Sequence, residues 1–151
     1  MNRLIALQFD KIESKDVLMK QIDHLAANNL LDSTILFNFS GEHVECSNNI
    51  QSIDKNPDEF STVPKRKNFI MEYAENEKKY SFLHIIESDI VFDADPKIFM
   101  DEVETTMDSL DYDIYFSTIS DRCNYVFNKF NPRFSIEIDN DDIRTKLKLP
   151  S

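Results

Sequence analysis

In the stretch FLHIIESDIVF, Phe82 to Phe92, an apolar run is interrupted by Glu87, Ser88 and Asp89 and then resumes with Ile90, Val91 and Phe92. Charge inside a core is costly unless it is paired or holds a metal. Two carboxylates at the end of the most strand-like segment therefore read in one of two ways. They are strand-end acids reaching solvent or capping a turn, or they belong to a site. A basic cluster precedes them: PKRK, Pro64 to Lys67, is either a solvated basic turn or a small anion-contacting patch. Among the histidines, His84 lies inside the strand and reads as a satisfied core imidazole, with a role near a metal as the other option. His24 falls in a helix and His43 in a polar loop, and neither has a sequence partner that marks catalysis.

The remaining acidic groups carry less chemistry. Asp93 and Asp95 extend the triplet into ESDIVFDAD, but the glycine of an EF-hand loop is absent, and Asp95 reads as a helix cap. Asp111 and Asp113 form a second acid-x-acid pair at the start of a strand, which is the wrong end for a parallel-sheet site. The DNDD run, Asp139 to Asp142, reads as a polar turn, with a late metal ligand as the weaker option. Asp121 and Arg122 follow a strand end, the end at which a parallel-sheet site forms. No Gly-x-Ser-x-Gly is present and Cys123 has no marked His partner, so serine and thiol hydrolases are set aside.

The elements that must position these groups follow from periodicity. Arg3 to Phe9 is a first strand. Ser14 to Leu31 is a helix, with Val17, Leu18, Ile22, Leu25 and Leu30 at helical spacing and Ser14 or Asp16 as its cap. Ser33 to Gly41 is a second strand ending at the sole glycine. Glu42 to Pro64 is polar and weakly periodic, a loop with room for one short strand. Lys65 to Lys79 is a second helix whose apolar face is Phe69, Ile70, Tyr73 and Ala74. Ser81 to Phe92 is the third strand. Asp93 to Leu110 is a third helix, with Asp95 at the cap and Pro96 at the favoured first position. Further strands are expected at Asp111–Thr118, Asn124–Phe127 and Arg133–Ile138, the last two as a hairpin, with a short helix in the tail. Strands alternating with helices predict an α/β fold, a three-layer sandwich around a mostly parallel central sheet. In such sheets ligands bind outside the carboxyl ends of the strands, which is where the triplet falls.

Composition sets outer limits. The 151 residues, 41% of them hydrophobic, suit one domain spanning 1–151 with a real core. The net charge of −11 argues against nucleic acid or anionic membrane as a partner. No apolar run is long enough to cross a bilayer, and the N-terminus lacks a signal-peptide pattern. Cys46 and Cys123 lie far apart without metal-type spacing and read as reduced thiols of a cytoplasmic protein. A single glycine, Gly41, excludes the GxGxxG and Walker-type phosphate loops.

The order of parts, and above all the run KRKNFIMEYAENEKKYSFLHIIESDIVF from Lys65 to Phe92, resembles the nucleotide-sugar-binding half of GT-A-fold glycosyltransferases. Glu87-Ser88-Asp89 stands where that family has its DxD motif. The resemblance implies a nucleotide-diphosphate sugar as donor, a glycan or other hydroxyl acceptor, and Mn²⁺ or Mg²⁺ bridging the donor's phosphates. Positions two apart on a strand point to one side, so Glu87 and Asp89 would converge on the ion. Asp89 would be the direct ligand, and Glu87 would meet the ribose or a metal-bound water. Arg66, Lys67 and Asn68 would lie near the nucleotide and its phosphates. The implied role is sugar transfer in surface-polysaccharide or glycan assembly. The chain departs from the pattern in FNFSG, which offers Asn38 and Ser40 where the family carries a nucleotide-sensing acid, and in having about 60 residues after Asp89, against a longer acceptor half in complete enzymes. The alternative is a non-catalytic α/β module that has lost the reaction and binds a partner through aromatics such as Tyr125, Phe127, Phe130 and Phe134.

Overall fold

The computed structural model describes residues 2–46, 48–90, 92 and 95–111. Strand β1 (Arg3–Phe9) leads through a short 3₁₀ turn into helix α1 (Lys15–Ala27), and a second such turn leads into β2 (Thr34–Asn38). Strand β3 (Gln51–Asp54), helix α2 (Val63–Glu77), β4 (Phe82–Glu87) and helix α3 (Pro96–Leu110) follow. The four strands form one sheet in the order β3-β2-β1-β4. Every pairing is parallel, with Leu7 of β1 opposite Leu36 of β2 and Ile86 of β4. The α/β class expected from the alternation of strands and helices holds. The first compact unit, Met1–Thr105, contains the whole of this sheet.

The central strand is apolar on both sides because both sides are covered. Ile5, Leu7 and Phe9 face α1, where Leu18, Ile22 and Leu25 are buried against them, together with Met100 of α3. Leu4 and Ala6 face the other way, with Ile35, Phe37, Phe39 and Ile70 of α2. Each fully buried Leu, Ile or Phe contributes about 1.5–3 kcal/mol, so these two layers fix the sheet between its helices. On the α2 side the packing is aromatic: Phe37 meets Tyr73 edge-on at 5.4 Å between ring centres, and Phe60 meets Phe69 at 5.2 Å.

Boundaries differ from the periodicity where caps and turns act. Helix α2 starts at Val63, because the Thr62 hydroxyl accepts from the Lys65 amide at 3.4 Å and Pro64 fits the first turn. Helix α3 starts at Pro96, and the Asp95 carboxylate accepts from the amides of Lys97 and Ile98 at 2.8 and 3.4 Å, as expected of its cap. Strand β2 stops at Asn38. Gly41 then takes φ +85°, and a Cβ there would stand 3.1 Å from Pro57 Cγ. A left-handed turn pressed against a proline accounts for the sole glycine. Strand β4 ends at Glu87, short of the expected Phe92, because the Ile90 amide donates to the Glu87 carbonyl at 3.0 Å and closes a turn. The expectations for Asp93, Asp113, Asp121, Arg122, Cys123, the aromatics from Tyr125 to Phe134, and Asp139 to Asp142 lie outside the described residues.

Candidate functional site

The strands are added to one side of β1 as β2 and β3 and to its other side as β4. Ligand sites in open parallel sheets form at the carboxyl edge near such a reversal. On that edge β1 runs into Asp10, β4 ends at Glu87, and the first turns of α2 stand beside them. Two ion pairs join the parts. Arg66 Nη2 lies 3.1 Å from Asp10 Oδ2, and Arg66 Nη1 donates to the Phe60 carbonyl at 3.1 Å. The Arg66 side chain is only 11% exposed, so it clamps α2 to the end of β1. Lys67 Nζ lies 3.8 Å from Glu87 Oε1, with both side chains near half exposed at 42% and 46%. That pair is loose and open to water. Asn68 is exposed on the next position of the helix.

Beneath these pairs lies Gln8, opposite Phe37 on one side and Glu87 on the other. Strand alternation puts its side chain on the α2 face. It is 4% exposed, and its Oε1 has no hydrogen-bond partner among the described residues, nor does Nε of Arg66. An unpaired buried polar group costs about 1–3 kcal/mol, and such atoms in a native fold call for a ligand, a water or a functional reason. Sequence reading passed over both Gln8 and Asp10. The polar interruption LQFD in an otherwise apolar strand was the available signal.

The acid pair itself is arranged differently from a strand pair. Glu87 is the last residue of β4, Ser88 is buried with its amide donating to the Gln8 carbonyl at 3.0 Å, and Asp89 is exposed in the turn. The rule that places alternate residues on one side does not extend to Asp89, because the turn closes between them. Among the described residues no group of three His, Cys, Asp or Glu side chains is placed to hold a metal ion. The oxygens on this edge are hard carboxylate donors, which suit Mg²⁺ or Mn²⁺. Such ions are commonly held by one or two carboxylates plus phosphate oxygens and water.

At the ends of β2 and β3 a second polar network lines an open depression of about 370 Å³. Asn38, 2% exposed, donates to the Glu42 carbonyl at 2.7 Å and to Asp54 Oδ1 at 3.0 Å, and accepts from the amide and hydroxyl of Ser40. His43 Nδ1 meets Asp54 Oδ2 at 2.9 Å. That hydrogen bond and the carboxylate's charge raise the His43 pKa. Burial pushes Asp54 up, but hydrogen bonds from His43, Asn38 and Ser52 bring it below the usual carboxylate range. His43 thus has a partner that its sequence context did not mark.

His84 lies on the opposite face, packed towards α3. Its Nε2 is 3.1 Å from Glu104 Oε1, and Glu104, 2% exposed, also takes Arg3. Arg3 further pairs with Asp101. This is the satisfied core imidazole of the sequence reading. Burial lowers its pKa, against the pull of Glu104. No described helix is long and apolar enough to cross a membrane. Comparison with known protein families, with curated proteins and with solved structures returns no match for this chain.

Proposed function

We propose that the carboxyl edge of the sheet binds a nucleoside-diphosphate sugar together with Mn²⁺ or Mg²⁺, as a glycosyltransferase-like domain that passes the sugar to a hydroxyl acceptor. The observation that carries this reading is the convergence of Asp10, Arg66, Lys67 and Glu87 near the buried Gln8, whose Oε1 has no partner among the described residues, at the point where strand order reverses. Lys67, the fifth residue of α2, supplies a positive charge beside Glu87 that can meet a phosphate oxygen. Arg66 holds the start of α2 against β1. Glu87 and Asp89 would hold the divalent ion, which supplies charge neutralisation for the leaving diphosphate. Because the described residues offer no complete cage, the ion and the nucleotide are expected to bind together.

Thermal unfolding of the chain with UDP, GDP, CDP and ADP, each with and without MnCl₂, tests the reading. The expected result is a rise in Tm for at least one nucleotide that requires Mn²⁺. Asp89→Asn should remove the Mn²⁺-dependent rise while changing the ligand-free stability by less than ~0.5 kcal/mol, as for other exposed positions. Asp95→Asn, which still caps α3, should keep the rise. No stabilisation by any nucleotide would favour the non-catalytic module instead.

A further inference from the structure

Helices α1 and α3 pack on the same face of the sheet, yet what they bury differs. Helix α1 buries Leu18, Gln21, Ile22 and Leu25, none of them ionisable. Helix α3 buries Pro96, Met100, Val103 and Glu104, so its anchors include a carboxylate. Two side chains of the sheet meet that carboxylate. Arg3 of β1 donates from Nε to Glu104 Oε1 at 2.8 Å, and Nε2 of His84, on β4, lies 3.1 Å from the same oxygen. Both are largely buried. Arg3 also reaches Asp101, which pairs at the surface with Lys97 at 2.8 Å. Among the described residues the charged groups acting on the His84 ring are Glu104 of α3 and Arg3 of β1, with Asp101 and Lys97 of α3 behind them. The cluster lies at the amino end of β1, away from the edge proposed for the nucleotide, and stands independently of that reading.

The buried charges balance only while His84 is neutral. One cation, Arg3, then faces one anion, Glu104. A proton on His84 sets a second cation beside Arg3 against the same carboxylate, and a buried charge without a partner of its own is costly. Burial lowers the pKa of the ring, and Arg3 adds to it, against the pull of Glu104. Water relieves the excess charge if an element moves to admit it. Strands β1 and β4 are tied by a ladder from Arg3 opposite Phe82 to Gln8 opposite Glu87, which leaves α3 as the element to move. We propose that acid releases α3 from the sheet, with His84 as the proton-sensing group, while the β1–β4 pairing and α1 stay in place. In the released state the ring is hydrated and takes its proton near about 6.5, as an exposed histidine does. The docked ring refuses that proton. Release is therefore favoured as pH falls below about 6.5, and above it this ring has no effect. Openings confined to one element cost less than global unfolding.

Hydrogen exchange of the full chain tests this, read by mass spectrometry on peptides of α1, α2 and α3 from about pH 8 down to about pH 5, above the range in which free carboxylates titrate. Rates are corrected for the intrinsic pH dependence of amide exchange. The opening constant of residues 97–105 should rise by up to about thirtyfold at pH 5, the limit for a ring that titrates near about 6.5 when open and stays neutral when docked. Peptides of α1 and α2 should keep their protection. His84→Gln retains an N–H for Glu104 but takes no proton, and should abolish the rise. His84→Met serves as a second variant if the first does not fold. His43→Gln, at an exposed ring paired with Asp54, should leave the rise intact. The proposal is overturned if α3 shows no rise, if α3 and α1 lose protection together, or if the His84 variants keep the rise. It is also overturned if NMR shows the His84 ring of the unsubstituted chain taking its proton at or above about 6.5 while α3 stays protected.

Discussion

The two histidines described at ion pairs carry opposite pH signatures. His43 is exposed and hydrogen-bonded to Asp54, which raises its pKa, whereas His84 is buried, which lowers its pKa despite Glu104. An unfolded histidine titrates near about 6.5. A raised folded pKa means that the contribution of His43 is fully present below about 6.5 and is lost as pH rises through the folded value. A lowered folded pKa means that the unfolded chain binds a proton that the folded chain refuses. The stability linked to His84 therefore falls as pH drops from about 6.5 towards its folded pKa. In an NMR titration the His43 ring should titrate above free histidine and the His84 ring below it. His43→Gln should remove only the first transition. Equal midpoints for the two rings would show that burial of His84 is weaker than its surroundings indicate.

Helix α3 is held to the sheet by apolar contacts and by one charged cluster. Met100 and Val103 are buried beside it, and Arg3 of β1 joins Asp101 and Glu104 across the interface. Glu104 is the buried member, and with Arg3 gone His84 would be its one remaining charged partner among the described residues. Removing one partner of a buried pair leaves an uncompensated charge. Arg3→Met should therefore destabilise the fold by about 3 kcal/mol, the low end for such losses, since Arg3 also reaches the half-exposed Asp101. It should also raise the His84 pKa, because the repelling guanidinium is removed and Glu104 is left to the imidazole. Denaturant midpoints with unchanged slope would check the first effect, and NMR titration of the ring the second. Arg3→Met,Glu104→Gln should recover part of the stability. By contrast, Lys97 and Asp101, both exposed and four residues apart on α3, form a pair worth only a few tenths of a kcal/mol.

At the scale of the molecule the net charge is −11, and the ligand proposed for it is an anion. Two negative partners repel over distances set by the Debye length, about 10 Å at 0.1 M salt. Without a divalent ion, association of UDP or GDP should therefore speed up as NaCl is raised from about 10 to about 150 mM, because salt screens the repulsion. Basic nucleotide sites in cationic proteins respond in the opposite sense. With Mn²⁺ present the dependence should flatten, since the local charge at Glu87 and Asp89 is then offset. Stopped-flow measurement of the association rate across that salt range would decide it. A rate that falls with salt would place the dominant field in Lys65, Arg66 and Lys67 rather than in the chain as a whole.

What the residues determined by themselves was the alternation of elements. Strands β1 and β4, the apolar faces of α1 and α2, and the Asp95–Pro96 start of α3 were legible because hydrophobic period and capping chemistry act within a few neighbouring positions. The parallel sheet followed, since strands separated by helices pair that way. Strand β3 was expected only as one short strand within Glu42–Pro64, and its bounds were not legible because its burial is partial and its pairing is with β2, across a loop. Only the tertiary structure decided the site. The end of β4 at Glu87 is set by a turn hydrogen bond. The partners of Arg66, Lys67 and His43 come from other elements: Asp10 from the end of β1, Glu87 from the end of β4, and Asp54 from the end of β3. Gln8 gains its meaning from its register against Glu87. These are long-range pairings through space, and one-dimensional periodicity carries no record of which charge meets which once the chain has folded.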